Sequence, residues 1–429
     1  MQCGCYQSAW QYCLQAKNTL REDASQAVYR DLEAAIKDEV AKYAGTNDDV
    51  KSNDSSTWPD AGFVRREHYS WNDFEPDRLA ELEAINELMR QVAPKLEVLA
   101  VDLPDLTAEP VNGTLPVSKQ LGVFAKEAIA PGEIVLEERT LLTGTNKLQD
   151  ALCDACNTDL PELASADADI VVSCPDCEVV FCSEKCMEDA MACYHPALCD
   201  KDVEAIASDL PAAQAADALY SRLLLRALAM AETQQCHPLQ LNEIKYIWAD
   251  FHNFPITDFE TAQAAPRTLP FSFEYNIRLP FHMLEKMDID IFANPQYDVW
   301  VFNTLYAKFR GTASARLSGR GGPARGPEVS AVHPMWCLAN SSCDPNVSWE
   351  WGGSIKFWAR EQRTEWRNAE GEARRPNSPG IGKGEEVLNH YCDVDLPVHE
   401  RRAWARGALG GECRCERCVW EAGEPAAKE

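Results

Sequence analysis

The chain has 429 residues, which is long enough for two or three domains that each bury a hydrophobic core. Its formal net charge of −27 argues against direct nucleic-acid binding, which needs a basic surface, and favours a cationic partner such as a lysine-rich protein. No apolar run is long enough to span a membrane, and residues 1–18 lack the basic and apolar regions of a signal peptide, so we expect an intracellular protein of the nucleus, the cytoplasm or both.

The N-terminal region, residues 1–110, is predicted to be a helical extension. Apolar residues recur at helical spacing in 26–44 and again in 76–92. The segment between them, 45–62, is rich in Asp, Asn and Ser and is predicted to be a mobile linker. Three cysteines near the N-terminus could suggest a metal site, but no fourth ligand lies nearby, so we interpret them as free thiols.

Short strands and then helices follow. Residues 121–125 and 133–136 are predicted as two strands joined through a turn at 130–132. Residues 200–316 are predicted as a largely helical insertion, beginning with an alanine- and leucine-rich stretch at 203–232.

The last third of the chain contains an extended pattern between two polar stretches. Residues 347–358 alternate like a β-hairpin around a short glycine turn. Residues 318–327 are rich in glycine and arginine and are predicted as a surface loop. Residues 361–382 are charged and contain proline and glycine, and they are predicted as an insertion.

The chain has eighteen cysteines and no export signal, so metal binding explains them better than disulfides do. Paired ligands two to four residues apart let one turn of backbone present two donors to one tetrahedral ion. Four such pairs follow one another, namely Cys153 and Cys156, Cys174 and Cys177, Cys182 and Cys186, and His195 and Cys199. These eight ligands predict two structural zinc sites, whose ions should supply the folding free energy of a segment too small to bury a core.

A second group of cysteines lies near the C-terminus. Cys413, Cys415 and Cys418 form a C-x-C-x2-C pattern, which is one ligand short of a tetrahedral zinc site. Cys343 could supply the fourth ligand, and Tyr391 lies between Cys343 and this tail. The pattern therefore predicts a third zinc site beside one reactive hydroxyl, although a core tyrosine on a strand is the alternative for Tyr391.

Three features resemble the SET domain of protein-lysine methyltransferases and its post-SET zinc tail. They are the run Asn340-Ser341-Ser342-Cys343-Asp344-Pro345-Asn346, the Gly384-Glu385-Glu386 turn ahead of Tyr391, and the cysteine tail. The earlier cysteine-rich segment resembles a MYND zinc finger, in which alternate ligand pairs share one ion. A finger inserted into a split SET domain is similar to the SET and MYND domain family, and residues 393–397 and 418–421 resemble fungal members.

This resemblance implies an α+β fold with a mainly β SET core. The implied segments are 1–110, the N-terminal extension; 111–152, the first part of the SET domain; 153–199, the finger; 200–316, the helical insertion; 317–410, the C-terminal SET core; and 411–429, the post-SET tail. It also implies three structural zinc ions. Their ligand sets would be Cys153, Cys156, Cys182 and Cys186; Cys174, Cys177, His195 and Cys199; and Cys343, Cys413, Cys415 and Cys418.

The resemblance also implies an active site. Tyr391 matches the catalytic tyrosine, whose hydroxyl orients the reacting amine and methyl group. S-adenosylmethionine would be bound by Lys119, Leu121, Gly122, Asn340, Ser341 and Tyr391. The implied reaction transfers methyl groups to lysine side chains of histones or other basic proteins, in a monomer whose finger binds proline-rich peptides. The alternative is a catalytically weak or inactive scaffold that docks partner proteins through the finger.

Two positions depart from the family pattern. Gln120 replaces a glycine, and Ser341 replaces a histidine that packs near the cofactor. Serine would preserve the backbone contacts but leave a space, which weakens cofactor binding about ten- to hundredfold. Because Asn340, Tyr391 and the zinc cysteines remain, we expect activity to be retained.

Overall fold

The structure, a computed structural model, describes residues 3–19, 23–106, 115–146, 152–161, 170–203, 215–249, 251, 268–316, 329–368, 370–374, 377–409 and 411–424. The predicted surface loop at 318–327 lies outside these residues. Within them, no helix is both long enough and apolar enough to cross a membrane. The described residues form a mixed fold of helices and small antiparallel sheets.

Helices occur along the whole chain. They are α1 (Tyr6–Thr19), α2 (Asp23–Ala44), α3 (Leu82–Val92), α4 (Glu184–Cys193), α5 (His195–Leu198), α6 (Ala215–Gln234), α7 (Asn242–Lys245), α8 (Leu279–Lys286), α9 (Val299–Thr312), α10 (Val398–Leu409) and α11 (Glu416–Glu421). The predicted helical patterns at 26–44 and 76–92 correspond to α2 and α3. The pattern at 203–232 corresponds to α6, and its part at 204–214 lies outside the described residues.

The strands are short. They are β1 (Ala61–Arg65), β2 (Leu96–Pro104), β3 (Val117–Ala125), β4 (Ile134–Glu138), β5 (Thr143–Thr145), β6 (Val172–Ser173), β7 (Val180–Phe181), β8 (Thr268–Ser272), β9 (Ser314–Arg316), β10 (Val329–Ala331), β11 (Val347–Trp351), β12 (Ile355–Ala359), β13 (Trp366–Arg367) and β14 (Ala373–Arg374). The sheet orders are β1-β8, β5-β10-β9, β11-β12-β4, β13-β14, β2-β3 and β6-β7. The predicted hairpin at 347–358 forms as β11 and β12, with Gly353 at a φ of 85° in its turn.

The two strands predicted around the turn at 130–132 both form, but they do not pair with each other. β3 pairs along its whole length with β2, in a register from Leu96 opposite Ala125 to Pro104 opposite Val117. β4 instead pairs with β12. The region predicted as a helical extension therefore contributes a strand to the sheet that carries Gly122.

The polar segment 45–62 differs from the predicted linker at its C-terminal end. Trp58 is buried there among Cys13, Ile36 and Val40, and its indole N–H donates to the carbonyl of Lys51 at 2.9 Å. Burial of this large ring fixes the segment against α1 and α2. The polar composition of the residues around Trp58 did not indicate that this one side chain would be buried.

Two hydrophobic cores position the rest of the chain. One joins the cysteine-rich segment to the helical insertion, where α6 packs against α8 and α9. The other lies around β3, β4, β11 and β12 and includes Trp336, Leu338 and Ala339. Ala339 and Val347 of this second core flank the 340–346 loop, so the core holds both ends of that loop in place.

Candidate active site and metal centres

The seven cysteines and one histidine predicted as ligands in 153–199 lie in two groups of four. One contains Cys153, Cys156, Cys182 and Cys186, the other Cys174, Cys177, His195 and Cys199, and in each the ligand atoms lie within 4.8 Å of one another. A tetrahedral zinc ion with bonds of about 2.3 Å to sulfur sets sulfur–sulfur distances of about 3.8 Å. The Sγ atoms of Cys156 and Cys182 are 3.8 Å apart, and so are those of Cys174 and Cys199. These groups are the ones predicted from the sequence, and their donors fit zinc.

Local backbone structure brings each ligand pair together. The amide of Asn157 donates to the carbonyl of Cys153 at 2.8 Å, and a positive φ of 55° at Asn157 closes that turn. Cys182 and Cys186 flank the N-terminus of α4, where the Ser183 hydroxyl caps the helix by accepting from the amide of Cys186 at 3.2 Å. The pairs are thus arranged by the chain itself, as a structural metal site requires.

The third group contains Cys343, Cys413, Cys415 and Cys418, again with sulfurs within 4.8 Å of one another. The Sγ of Cys343 is 3.9 Å from that of Cys413 and 3.4 Å from that of Cys418. Hydrogen bonds among the thiols, first from Cys343, lower the pKa of Cys415 and raise that of Cys413. The lone cysteine and the cysteine tail therefore meet in one site that fits zinc.

Arginines that the sequence analysis missed contact the sulfurs of both four-cysteine groups. Arg139 Nη2 lies 3.0 Å from Cys186 Sγ, and Arg401 Nη2 lies 3.7 Å from Cys418 Sγ. The group of three cysteines and His195 has no such contact among the described residues. Four thiolates around Zn²⁺ leave a net charge of about −2, and three thiolates with a neutral histidine leave about −1. The arginines thus lie where the excess of negative charge is greater.

The loop 340–346 is held by the segment that leads to Tyr391. The amide of Asn389 donates to the carbonyl of Asn340 at 2.8 Å. The fully buried side chain of Asn346 donates to the carbonyl of Glu386 at 2.7 Å and accepts from the amide of Leu388 at 2.7 Å. Asn346 therefore clamps two chain segments that are about forty residues apart. Asn346 belongs to the motif that begins at Asn340, but the sequence alone indicated no structural role for it.

Asn340 contacts the strand that carries the predicted cofactor residues. Its Nδ2 donates to the carbonyl of Leu121 at 3.0 Å and to Glu386 Oε1 at 2.8 Å, which leaves its side-chain oxygen to accept from a ligand. A Cβ at Gly122 would lie 2.7 Å from Glu386 Oε1 and 3.2 Å from Asn340 Nδ2, so any larger residue would displace the carboxylate of Glu386. Burial raises the pKa of Glu386, a residue that the sequence analysis did not assign to the site.

Lys119 and Ser341, two other predicted cofactor residues, differ in their placement. The Lys119 side chain is largely exposed, and its Nζ lies 3.3 Å from Asp102 Oδ1 on the neighbouring strand. Ser341 forms a parallel bridge with Asn389 through its backbone. The structure thus brings Leu121, Gly122, Asn340 and Ser341 together where strand β3 meets the 340–346 loop. The ammonium group of Lys119 is instead paired with Asp102.

Tyr391 lines a cavity of about 680 Å³. Its hydroxyl donates to the carbonyl of Ala339 at 3.1 Å, and burial raises the pKa of Tyr391, so the phenol keeps its proton at neutral pH. Residues 310–315, at the end of α9 and in β9, form one wall of the cavity, and residues 390–395 with α10 form another. The aromatic residues of this lining are Trp336, Trp349, His390 and Trp404, and its charged residues are Arg310, Arg360, Asp393 and Asp395.

The third cysteine group is tied to that cavity wall. Arg417 Nη1 donates to the carbonyl of Cys343 at 2.7 Å and to the carbonyl of Val394 at 2.9 Å. Val394 lines the cavity, and its neighbour Cys392 is hydrogen-bonded to Cys343, which lowers the pKa of Cys392. Loss of the third metal site would therefore disturb the wall beside Tyr391.

Comparison with known proteins gives a local similarity. No model of a known protein family matches the chain. Over 105 aligned residues the chain is 32% identical to the mouse protein-lysine N-trimethyltransferase SMYD5, and this match covers 19% of the chain and 25% of the relative. The chain thus spans about a quarter of the length of the curated relative that it matches. The solved SET domain of LSMT bound to lysine and AdoHcy matches 79% of this chain and 58% of its own, at 12% identity, but a TM-score of 0.35 does not establish a shared fold.

Proposed function

We propose that the protein is a SET-domain methyltransferase that uses S-adenosylmethionine to methylate lysine side chains of proteins. The observation that carries the proposal is the pairing of the 340–346 loop with the segment before Tyr391. This pairing places Asn340 against Gly122, Tyr391 in a cavity, and Cys343 in a four-cysteine group. The local similarity to a protein-lysine methyltransferase supports the same reading.

The residues around Asn340 fit the methionine end of the cofactor. The free side-chain oxygen of Asn340 and the carboxylate of Glu386 can accept from an ammonium group, and the absent side chain at Gly122 lets a ligand approach the backbone closely. Leu121, Ser341 and the backbone of Lys119 complete the proposed contacts, since the Lys119 side chain is paired with Asp102. The bound cofactor would supply an electrophilic methyl group to the cavity.

The chain itself positions and prepares the lysine amine. A protonated Tyr391 orients polar groups beside it, since its hydroxyl is already aligned on Ala339. In the proposed complex, the tryptophans that line the cavity would replace part of the water around the amine, and such desolvation lowers the pKa of a lysine from its ordinary value of about 10.4. Holding both reactants in one geometry is then the main contribution to the rate.

The proposed substrate is a lysine-bearing basic protein such as a histone tail. The net charge of −27 and the exposed carboxylates Asp393 and Asp395 at the cavity support a cationic partner. Zinc is proposed as a structural ion in all three groups. Membership of the SET and MYND domain family, a fungal origin, a monomeric state and binding of proline-rich peptides by the finger remain proposals from the motifs.

Transfer of tritium from labelled S-adenosylmethionine to recombinant core histones tests this function. Tyr391→Phe should lower kcat on the order of 100-fold without changing cofactor affinity, because one positioned hydroxyl is lost. Tyr12→Phe is the matched control, since Tyr12 is exposed on α1. Labelling that is equal in wild type and Tyr391→Phe would contradict the role of Tyr391. Cofactor binding without histone labelling would contradict only the substrate, whereas absence of both would favour a docking scaffold.

A further inference from the structure

The proposed reaction needs a proton acceptor, and Tyr391 is not suited to that role. A lysine ammonium must lose a proton before its nitrogen can attack. The Tyr391 hydroxyl keeps its own proton and donates it to the carbonyl of Ala339. Cys337 also lines the cavity, but burial raises the pKa of its thiol, so it is not a thiolate that could accept a proton. Among the remaining described groups that line the cavity, the imidazole of His390 is the one whose chemistry suits a proton acceptor at neutral pH.

His390 has the tautomer that an acceptor requires. Its Nδ1 lies 3.2 Å from the carbonyl oxygen of Cys392. A carbonyl oxygen can only accept, so Nδ1 must carry the hydrogen, and the neutral ring then has its lone pair on Nε2. The ring also stacks on Trp349, with an interplanar angle of 28° and centroids 6.1 Å apart. Both contacts fix the imidazole in the wall of the cavity, next to Tyr391.

Burial keeps the ring of His390 neutral, and the charges around it act in opposite directions. Burial is the largest cause that lowers the pKa of His390, and the guanidinium of Arg360 acts in the same direction. The Cys392 carbonyl and the carboxylate of Asp393 oppose this shift. The other ionisable groups of the cavity lining are Arg310, Asp395, Cys337, Cys392 and Tyr391. With a pKa below the ordinary value of about 6.5, the ring is uncharged at pH 7 and can take up a proton.

We propose that His390 is the catalytic proton acceptor for the substrate lysine, a proposal that rests on the methyltransferase function. One N–H bond of the ammonium breaks, its electron pair remains on the lysine nitrogen, and a new N–H bond forms at His390 Nε2. The resulting imidazolium returns this proton to water at the cavity mouth. Asp393 is exposed to solvent, and a carboxylate is in general a weaker base than a neutral imidazole.

A pH profile of His390→Asn tests the proposal. Asparagine can still donate to the carbonyl of Cys392, but it cannot take up a proton. With tritiated cofactor and recombinant core histones, kcat at pH 7 should fall about 100-fold, and the loss should shrink to about threefold at pH 9.5, where lysine deprotonates without help. KM and cofactor affinity should stay within about twofold of wild type. His399→Gln is the matched control, because His399 is exposed on α10.

A merely structural role would give a different profile. It would lower kcat equally at pH 7 and pH 9.5, and that result would overturn the proposal. Nuclear magnetic resonance of ¹⁵N-histidine in the zinc-loaded full-length protein gives a readout that needs no substrate. His390 should show a protonated Nδ1 and a bare Nε2 at pH 7.5; the opposite tautomer, or an imidazolium, would also overturn it. Failure of wild type to bind cofactor would instead contradict the proposed function.

Discussion

We expect the contact between Arg139 and the first four-cysteine group to raise the zinc affinity of that group. Arg139 donates to Cys186 Sγ at 3.0 Å, and its side chain is about one-third exposed. A hydrogen bond from a charged donor contributes about 1.5–3 kcal/mol. Arg139→Met removes both the charge and the donor at nearly constant length. We therefore expect the zinc affinity of this group to fall by about 10- to 150-fold.

Competition with a metallochromic chelator measures this change. The zinc-loaded wild type should release three ions per chain in steps, and Arg139→Met should release one of them at a lower chelator concentration. Asp189→Asn is the control, because it removes the ion-pair partner of Arg139 but leaves the contact with sulfur. Unchanged release of all three ions would refute the reasoning. Simultaneous loss of all three, with loss of helical circular dichroism, would mean that the variant unfolds.

Further changes test other parts of the structure. Gly122→Ala should weaken S-adenosylmethionine binding at least about tenfold in calorimetry, because the new Cβ would lie 2.7 Å from Glu386 Oε1; unchanged affinity would place the cofactor elsewhere. Cys413→Ser should reduce bound zinc from three ions to two and abolish methyl transfer, and full activity with two ions would separate the tail from the cavity. His333 is fully buried with no described hydrogen-bond partner for its ring, and burial lowers its pKa to about 3. Its folded pKa lies below its unfolded value of about 6.5, so stability is lost as pH falls through that range, by about 1.4 kcal/mol between pH 7.5 and 5.5. His333→Phe, which keeps the ring against Trp351, should remove that part of the pH dependence of unfolding by urea, and an unchanged slope would count against it.

The sequence could predict features that depend on near neighbours. The paired spacing of Cys153 and Cys156 is set within one turn, and the hairpin at 347–358 is set by alternation around Gly353. Strand pairing was harder to predict from the sequence, because the partner of β3 is β2, which lies in a region predicted to be helical. The register between two strands depends on which of their faces is buried in the folded protein, and the sequence pattern of one strand alone does not show this.

The environment of the sites was also beyond the sequence. Arg139 and Cys186 are 47 residues apart, and Arg417 and Cys343 are 74 apart. Many arginines were equally good candidates before the chain was folded. The role of Glu386 beside Gly122 depends in the same way on the pairing of distant segments. The candidate metal ligands could be identified from their local spacing. The arginines and carboxylates that contact the sites could be identified only from the folded structure.

Titration calorimetry of S-adenosylmethionine into the zinc-loaded protein tests the central claim most directly. We expect binding in the micromolar range, lost in Asn340→Ala and strengthened in Ser341→His, because a histidine would fill the space that serine leaves. Binding that is equal in wild type and Asn340→Ala would show that the cofactor does not lie between Asn340 and Gly122. Absence of binding in wild type and in Ser341→His would contradict the account, and the protein would then have to act without this cofactor.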